Sequence, residues 1–248
     1  MTEGVGAARA QTRSAGPNIL FVFTDQERFQ TRLPAGLSLP GHDRLQAKGV
    51  TFTNHQCPAT MCTSSRSVIV TGLQTPDNGM FENLDVPWMR DLPKDKPTIG
   101  HMLRKAGYYT AYKGKWHLNG AMAMENHPDH IKALFEGTMD RDYGFFDYTG
   151  TGDYIEGALG GYQYDALTTA QAVQWLKAKG RPMTDKRQPW YLAVNFVNPH
   201  DVMWVNTDQP GGPVVQGKDA RLSIAFPPED SFYRQEWNDV PLQSTWRQ

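Results

Sequence analysis

Four short segments of this 248-residue sequence combine side chains able to do chemistry. The first is Asp25-Gln26, directly after the apolar run Asn18 to Thr24. One carboxylate and one amide oxygen suit a hard divalent cation such as Ca2+, Mg2+ or Mn2+, and the same pair also serves as an ordinary strand-end turn. The second is Cys62-Thr63-Ser64-Ser65-Arg66. A thiol at a helix N-terminus sits at the positive end of the dipole, which favours an anion there, and Arg66, one turn on, can face the same point. The alternative is a buried cysteine beside a surface arginine. The third is Gly114-Lys115-Trp116-His117-Leu118. Alternation at a strand end sends Lys115 and His117 to one side and Trp116 to the core, giving an anion site with a proton carrier or two solvated residues around a packed ring. The fourth is Asn198-Pro199-His200-Asp201, whose histidine can protonate a leaving group or rest as a satisfied loop residue.

These residues need a frame that brings strand ends together. Asn18 to Thr24 reads as a central strand of a parallel sheet, buried on both faces, with Asp25 at its carboxyl end, where open α/β sheets bind ligands. His42 to Lys48 reads as a helix closed by Gly49, and Val50 to Thr53 as a second strand. A helix is expected from Thr63 to Thr71, stopping at Gly72. Another runs from Thr98 to Lys105, with Ile99, Met102 and Leu103 inward and Gly107 as its cap; Tyr108 to Lys113 returns as a strand. Residues 119–161 lack a clear period, and Gly150, Gly152, Gly157, Gly160 and Gly161 predict a long excursion over the site. Tyr164 to Lys179 is the strongest helix, with Ala166, Ala170, Val173 and Leu176 on one face and Gly180 after it. Trp190 to Val197 is a second buried strand. This alternation predicts an α/β fold with a mixed, mainly parallel sheet flanked by helices.

Bulk properties exclude several functions. Lys plus Arg is 25 against 26 for Asp plus Glu, a net charge of −1, so no global field draws nucleic acid or an anionic membrane. No stretch approaches the roughly 20 apolar residues of a membrane helix. The leader, residues 1–16, lacks the apolar block of a secretory signal and predicts a disordered start to a cytoplasmic protein. Cys57 and Cys62 read as thiols rather than a disulfide, and Cys57 as a small buried residue. A catalytic domain is expected over 17–204, and an irregular Pro-, Gly- and Asp-rich tail over 205–248.

Together the segments resemble the N-terminal part of the sulfatase family, within the alkaline phosphatase superfamily. Pro17-Asn18-Ile19-Leu20-Phe21-Val22-Phe23-Thr24-Asp25-Gln26 resembles its metal-binding strand, and Leu45 to Asn54 the helix and strand that precede its cysteine. Cys62 to Arg66, followed by Thr71-Gly72, stands where the family has C-x-P-x-R, with Ser64 in place of the proline. Ala106 to Leu118 is the most specific match.

The resemblance implies an alkaline phosphatase-like fold and a sulfuric ester hydrolase. Its Cys62 would be oxidised by a formylglycine-generating maturase to formylglycine, whose hydrate attacks the sulfur of a small-molecule sulfate ester. It implies that Asp25, Gln26 and Cys62 hold a divalent metal, Ca2+ before Mg2+ or Mn2+. Arg66 would support the formylglycine, His117 orient its hydroxyl and Lys115 hold the sulfate. His200 would contact the sulfate or protonate the leaving oxygen, and Asn83 would contact substrate. Gln26, where many sulfatases have a second Asp, is similar to the phosphonate monoester hydrolase and choline sulfatase branches, so a phosphonate monoester or phosphodiester hydrolase is the nearest alternative. The family's later acidic pair and second lysine have no equivalent here, since Asn238-Asp239 is in the wrong order. The second half of the site is therefore expected beyond Gln248, and a catalytically silent remnant that binds metal or anions is the reading from another class.

Overall fold

The structure is a computed structural model that describes residues 16–30, 32–124, 126–150, 153, 159–204, 228–231 and 234–240. Residues 1–15 of the expected leader, Gly152 and Gly157 of the expected excursion, and most of the expected tail lie outside the described residues.

Strand β3, Trp190–Pro199, organises the fold. It pairs in parallel on one side with β1, Ile19–Asp25, and on the other with β2, Tyr109–Gly114, giving the order β1-β3-β2. Parallel pairing puts the carboxyl ends of all three strands on one edge, so Asp25, Lys115 and His200, each at or just past a strand end, converge by topology.

The side chains of β3 alternate between two cores. Trp190, Leu192 and Val194 join Ala111 of β2 and Ala172 and Trp175 of the helix Gly160–Trp175. Tyr191 and Ala193 face the opposite layer, with Tyr112, Trp116, Tyr143 and Phe145, where the rings of Tyr112, Trp116 and Phe145 meet edge to face. Cover on both faces is why this strand reads as an unbroken apolar run.

β1 departs from expectation. It is an edge strand of the described sheet rather than a central one, and only Ile19 and Phe21 reach a core, while Leu20 and Val22 are 48% and 51% exposed. The helix Gly160–Trp175 packs over β3 and β2, which leaves the Leu20 and Val22 face uncovered among the described residues.

Further differences share this origin in long-range packing. Val50 to Thr53 is not a strand; Val50 and Phe52 lie exposed, with no neighbouring strand to pair among the described residues. The helix before it is Pro40–Gln46 with Ala47, not Gly49, at its C-cap. Met102 of the helix Ile99–Lys105 faces outward, while Ile99 and Leu103 pack inward and Thr98 closes a capping box with His101. Among its described residues the expected excursion contains the helices Gly120–Ala123, His130–Phe135 and Thr138–Tyr143. The helix Gly160–Trp175 starts four residues before Tyr164, and its buried stripe runs through Gly161, Thr168, Ala172 and Trp175 rather than Ala166, Ala170 and Val173, while Leu176, in the π-turn Leu176–Gly180, packs inward as expected. No described helix is long and apolar enough to cross a membrane.

Candidate active site

The helix Cys62–Thr71 starts on Cys62 and ends at Gly72 in the left-handed conformation. Its first backbone bond is Ser65 N–H to the Met61 carbonyl, so the amides of Cys62, Thr63 and Ser64 have no partner within the helix. Asn83 Oδ1 accepts from Thr63 N–H at 3.1 Å and supplies the cap from outside. Asn83 is thus a mount for the Cys62 turn, with its oxygen already engaged. Ser64 occupies one of the early turn positions where a proline is also tolerated.

Polar side chains dock this helix onto the strand ends. Thr63 Oγ1 donates to the His117 carbonyl at 2.9 Å. Arg66, whose side chain is only 4% exposed, donates through Nη1 to the Lys115 carbonyl at 2.9 Å and through Nη2 to Asp25 Oδ2 at 3.0 Å. The guanidinium therefore ties the exit of β1 to the exit of β2 and does not aim at Cys62.

Lys115 completes the junction. Its Nζ lies 2.6 Å from Asp25 Oδ2 and 3.9 Å from Cys62 Sγ, and the side chain is fully buried. The sharp turn that frees it is Gly114, at φ +83°, where an added Cβ would stand 1.9 Å from the Asn195 carbonyl oxygen. Lys115, Trp116 and His117 are all buried, so strict alternation does not continue past the strand; both Lys115 and His117 nevertheless reach the site. His117 sits at φ +55° and neither ring nitrogen has a partner among the described residues. Burial, reinforced by the charges of Lys115 and Arg66, holds its pKa well below the usual histidine range, so the ring is neutral.

His200 opens the short turn after β3. Its Nδ1 stands 3.2 Å from Asp201 Oδ1, and the ring lies near Cys62. Burial works to lower its pKa, but Asp201 and Cys62 outweigh burial and push it up to about 9, so the imidazole is cationic at neutral pH. Asp25 shows the same competition with the opposite sign: burial raises it, while Arg66 and Lys115 prevail and hold the carboxyl well below the carboxylate range. A half-buried Cys62 thus looks onto two cations, Lys115 and His200, with Asp25 Oδ1 at 3.5 Å from its sulfur. On the β1 side the site opens into a cleft of about 880 Å³ lined by Asp25, Gln26, Cys62 and Arg66 among others.

This donor set does not by itself fit a divalent metal. Such an ion takes six or more oxygens, yet Asp25 Oδ2 is shared by two cations and Gln26 lies exposed at φ +60°. Among the described residues no group of three or more His, Cys, Asp or Glu is placed to hold a metal. The arrangement fits a tetrahedral anion instead, with the Cys62 thiol beside cationic donors.

The structure gathers Asp25, Cys62, Arg66, Lys115, His117 and His200 at one point, with Asn83 bracing the Cys62 turn and Gln26 on the rim. Two further carboxylates went unread in the sequence. Asp201 orients His200, and its other oxygen accepts from Gly161 N–H. Asp153 accepts from Trp116 N–H at 2.6 Å. Asp201 stands in a quoted motif and carried a signal; Asp153, alone in a Gly-rich stretch, carried none.

Known proteins show the same arrangement of chain. The family model Sulfatase matches residues 17–223. A sulfatase of Formosa agariphila is 29% identical over 214 residues, covering 76% of this chain and 40% of its own. A choline-sulfatase of Rhizobium meliloti is 29% identical over 210 residues, covering 75% and 38%. Human arylsulfatase A is 35% identical over 106 residues, covering 41% and 21%. A solved 2-O GAG sulfatase superimposes with a TM-score of 0.52 at 22% identity, over 79% of this chain and 40% of that one, which is a likeness of fold. The chain spans about two fifths of the length of the first two relatives named. It belongs to the Sulfatase family, of the alkaline phosphatase superfamily.

Proposed function

We propose that this chain supplies the nucleophile half of a sulfuric ester hydrolase site. The observation behind the proposal is Lys115 Nζ at 3.9 Å from Cys62 Sγ, which stands at the N-terminus of a helix. Lys115 and the free amides of the Cys62 turn stabilise the charge on the equatorial oxygens of a sulfuryl group as it moves between nucleophile and leaving oxygen. His200, cationic at neutral pH, gives its proton to the leaving oxygen when the S–O bond breaks. His117, neutral and unpartnered, is free to hydrogen-bond the nucleophile or the anion. Arg66 holds Asp25 and the Lys115 backbone in register and touches neither reactant.

The Cys62 position fits a formylglycine, because an oxygen in place of the sulfur would meet the same cationic donors. That group supplies a hydrated aldehyde as oxygen nucleophile, formed by a maturase acting on Cys62. A divalent metal at Asp25 and Gln26 needs oxygen ligands from outside the described residues, and no step here depends on one. Gln26 favours a second reading, a phosphonate monoester or phosphodiester hydrolase, since both substrates are tetrahedral anions. The full ion pairing of Asp25 favours a third, an anion-binding remnant without turnover.

The test compares aryl sulfate with aryl phosphonate monoester hydrolysis, using protein matured in its own host and carrying any sequence that continues past Gln248. Preference for the sulfate supports the proposal; preference for the phosphonate transfers it to the second reading. No turnover of either, with sulfate still bound, leaves the third.

A further inference from the structure

Past Gly114 the chain leaves the sheet while still buried. Lys115 N–H makes the last strand-like bond, to the Asn195 carbonyl at 3.0 Å. The next two amides, of Trp116 and His117, have no strand to meet, and an unpaired buried N–H costs about 1–3 kcal/mol. The first of them turns instead to a side chain. Asp153 Oδ1 accepts from Trp116 N–H at 2.6 Å.

Asp153 is itself fully buried, and its own N–H donates to the Ala123 carbonyl at 2.7 Å, which anchors it from the opposite side. Its Oδ2 has no hydrogen-bond partner among the described residues. A buried carboxylate so incompletely satisfied is a net expense to folding unless it serves something else. What it holds is the backbone of Trp116, the one residue between Lys115 and His117, in the segment that carries both side chains into the site.

We infer that Asp153 is the positioning residue of the anion site: by accepting from Trp116 N–H it sets where the flanking Lys115 and His117 enter the cluster around Cys62. This rests on the reading of that cluster as an anion site. Asp153 touches no reactant and acts only through the loop. Burial pushes its carboxyl up to about 6, against the pull of Lys115 and Arg66, so it is ionised at neutral pH and a strong acceptor for that amide. Its charge also lies near enough to Lys115 and Arg66 to offset part of the buried positive charge beneath the nucleophile.

The test has two arms. In the intact 248-residue protein, amide hydrogen exchange is followed residue by residue. Trp116, although outside any strand, is expected to exchange as slowly as the amides of β3. In the second arm, calorimetry measures binding of inorganic sulfate to the wild type, Asp153→Ala, Asp153→Asn and Lys115→Ala, each checked for folding by circular dichroism. Asp153→Ala is expected to weaken sulfate by about tenfold or more, as a buried amide loses its acceptor. Asp153→Asn keeps an acceptor oxygen and is expected to recover most of the affinity. Fast exchange at Trp116, or wild-type affinity in a folded Asp153→Ala protein, overturns the inference. Unchanged sulfate binding in Lys115→Ala, or no binding by the wild type, defeats the anion-site reading instead, and the exchange data then decide the role of Asp153 alone. They also decide it if Asp153→Ala does not fold.

Discussion

Replacing Arg66 by alanine probes the junction on which the site stands. The side chain is 4% exposed and makes two bonds that bridge β1 to β2, to Asp25 Oδ2 at 3.0 Å and to the Lys115 carbonyl at 2.9 Å. Removing one partner of a buried ion pair costs about 3–5 kcal/mol when the other is left uncompensated. Here Asp25 keeps Lys115 at 2.6 Å, so the lower end of that range applies. The lost bond to the Lys115 carbonyl adds about 1 kcal/mol. The expected loss is therefore about 3–4 kcal/mol, read as a lower urea midpoint at constant slope. The pH dependence has a defined sign. The folded Asp25 pKa is depressed, so its contribution is present above the ordinary carboxylate pKa and fades as pH falls through the folded value. The gap between wild type and Arg66→Ala should accordingly narrow in strong acid. Asp25→Asn combined with Arg66→Ala should cost clearly less than the sum of the single changes, since no stranded charge remains. A loss below about 1 kcal/mol, or strict additivity of the pair, would refute the view of Arg66 as the tie between the strand ends.

Other outcomes follow from single features. Gly114→Ala places a Cβ 1.9 Å from the Asn195 carbonyl oxygen at φ +83°, so a loss of at least about 2 kcal/mol is expected in denaturant unfolding, together with weaker sulfate binding. Because the folded pKa of His200 is raised, the stability it adds is fully present below its unfolded value near 6.5 and disappears as pH rises through about 9. Asp201→Asn should move that upper limit downward in a stability-versus-pH series. Leu192→Ala, at a fully buried position at the centre of β3, should cost about 2–5 kcal/mol without altering sulfate affinity in the folded fraction.

What the sequence revealed was set by how local each signal is. Trp190 to Val197 reads correctly because both faces of β3 are covered and every residue carries the mark. The run Ile19 to Thr24 carries the same mark, yet β1 is an edge strand. The difference lies in the helix Gly160–Trp175, which packs over β2 and β3 and leaves Leu20 and Val22 bare, and no residue near Leu20 records that. Residue types at strand ends were enough to assemble the site, because parallel topology brings such ends together whatever the details between them. The direction of each side chain was not legible. Arg66 was expected to support the formylglycine, and its bonds to Asp25 and a backbone carbonyl could not be read from its position. Asp153 was invisible because its side-chain partner is a backbone amide 37 residues away, and a backbone N–H has no letter in the sequence.

The claim at the centre of this account is that Cys62 marks the nucleophile of a sulfatase-type site, despite Ser64 in the signature's proline position. Mass spectrometry of the tryptic peptide from Gly49 to Arg66, taken from protein made in its own host, tests it most directly. The account predicts that Cys62 has lost its sulfur and reads as the formylglycine aldehyde or its hydrate, while Cys57 in the same peptide remains a thiol. A peptide with both cysteines unmodified would contradict it.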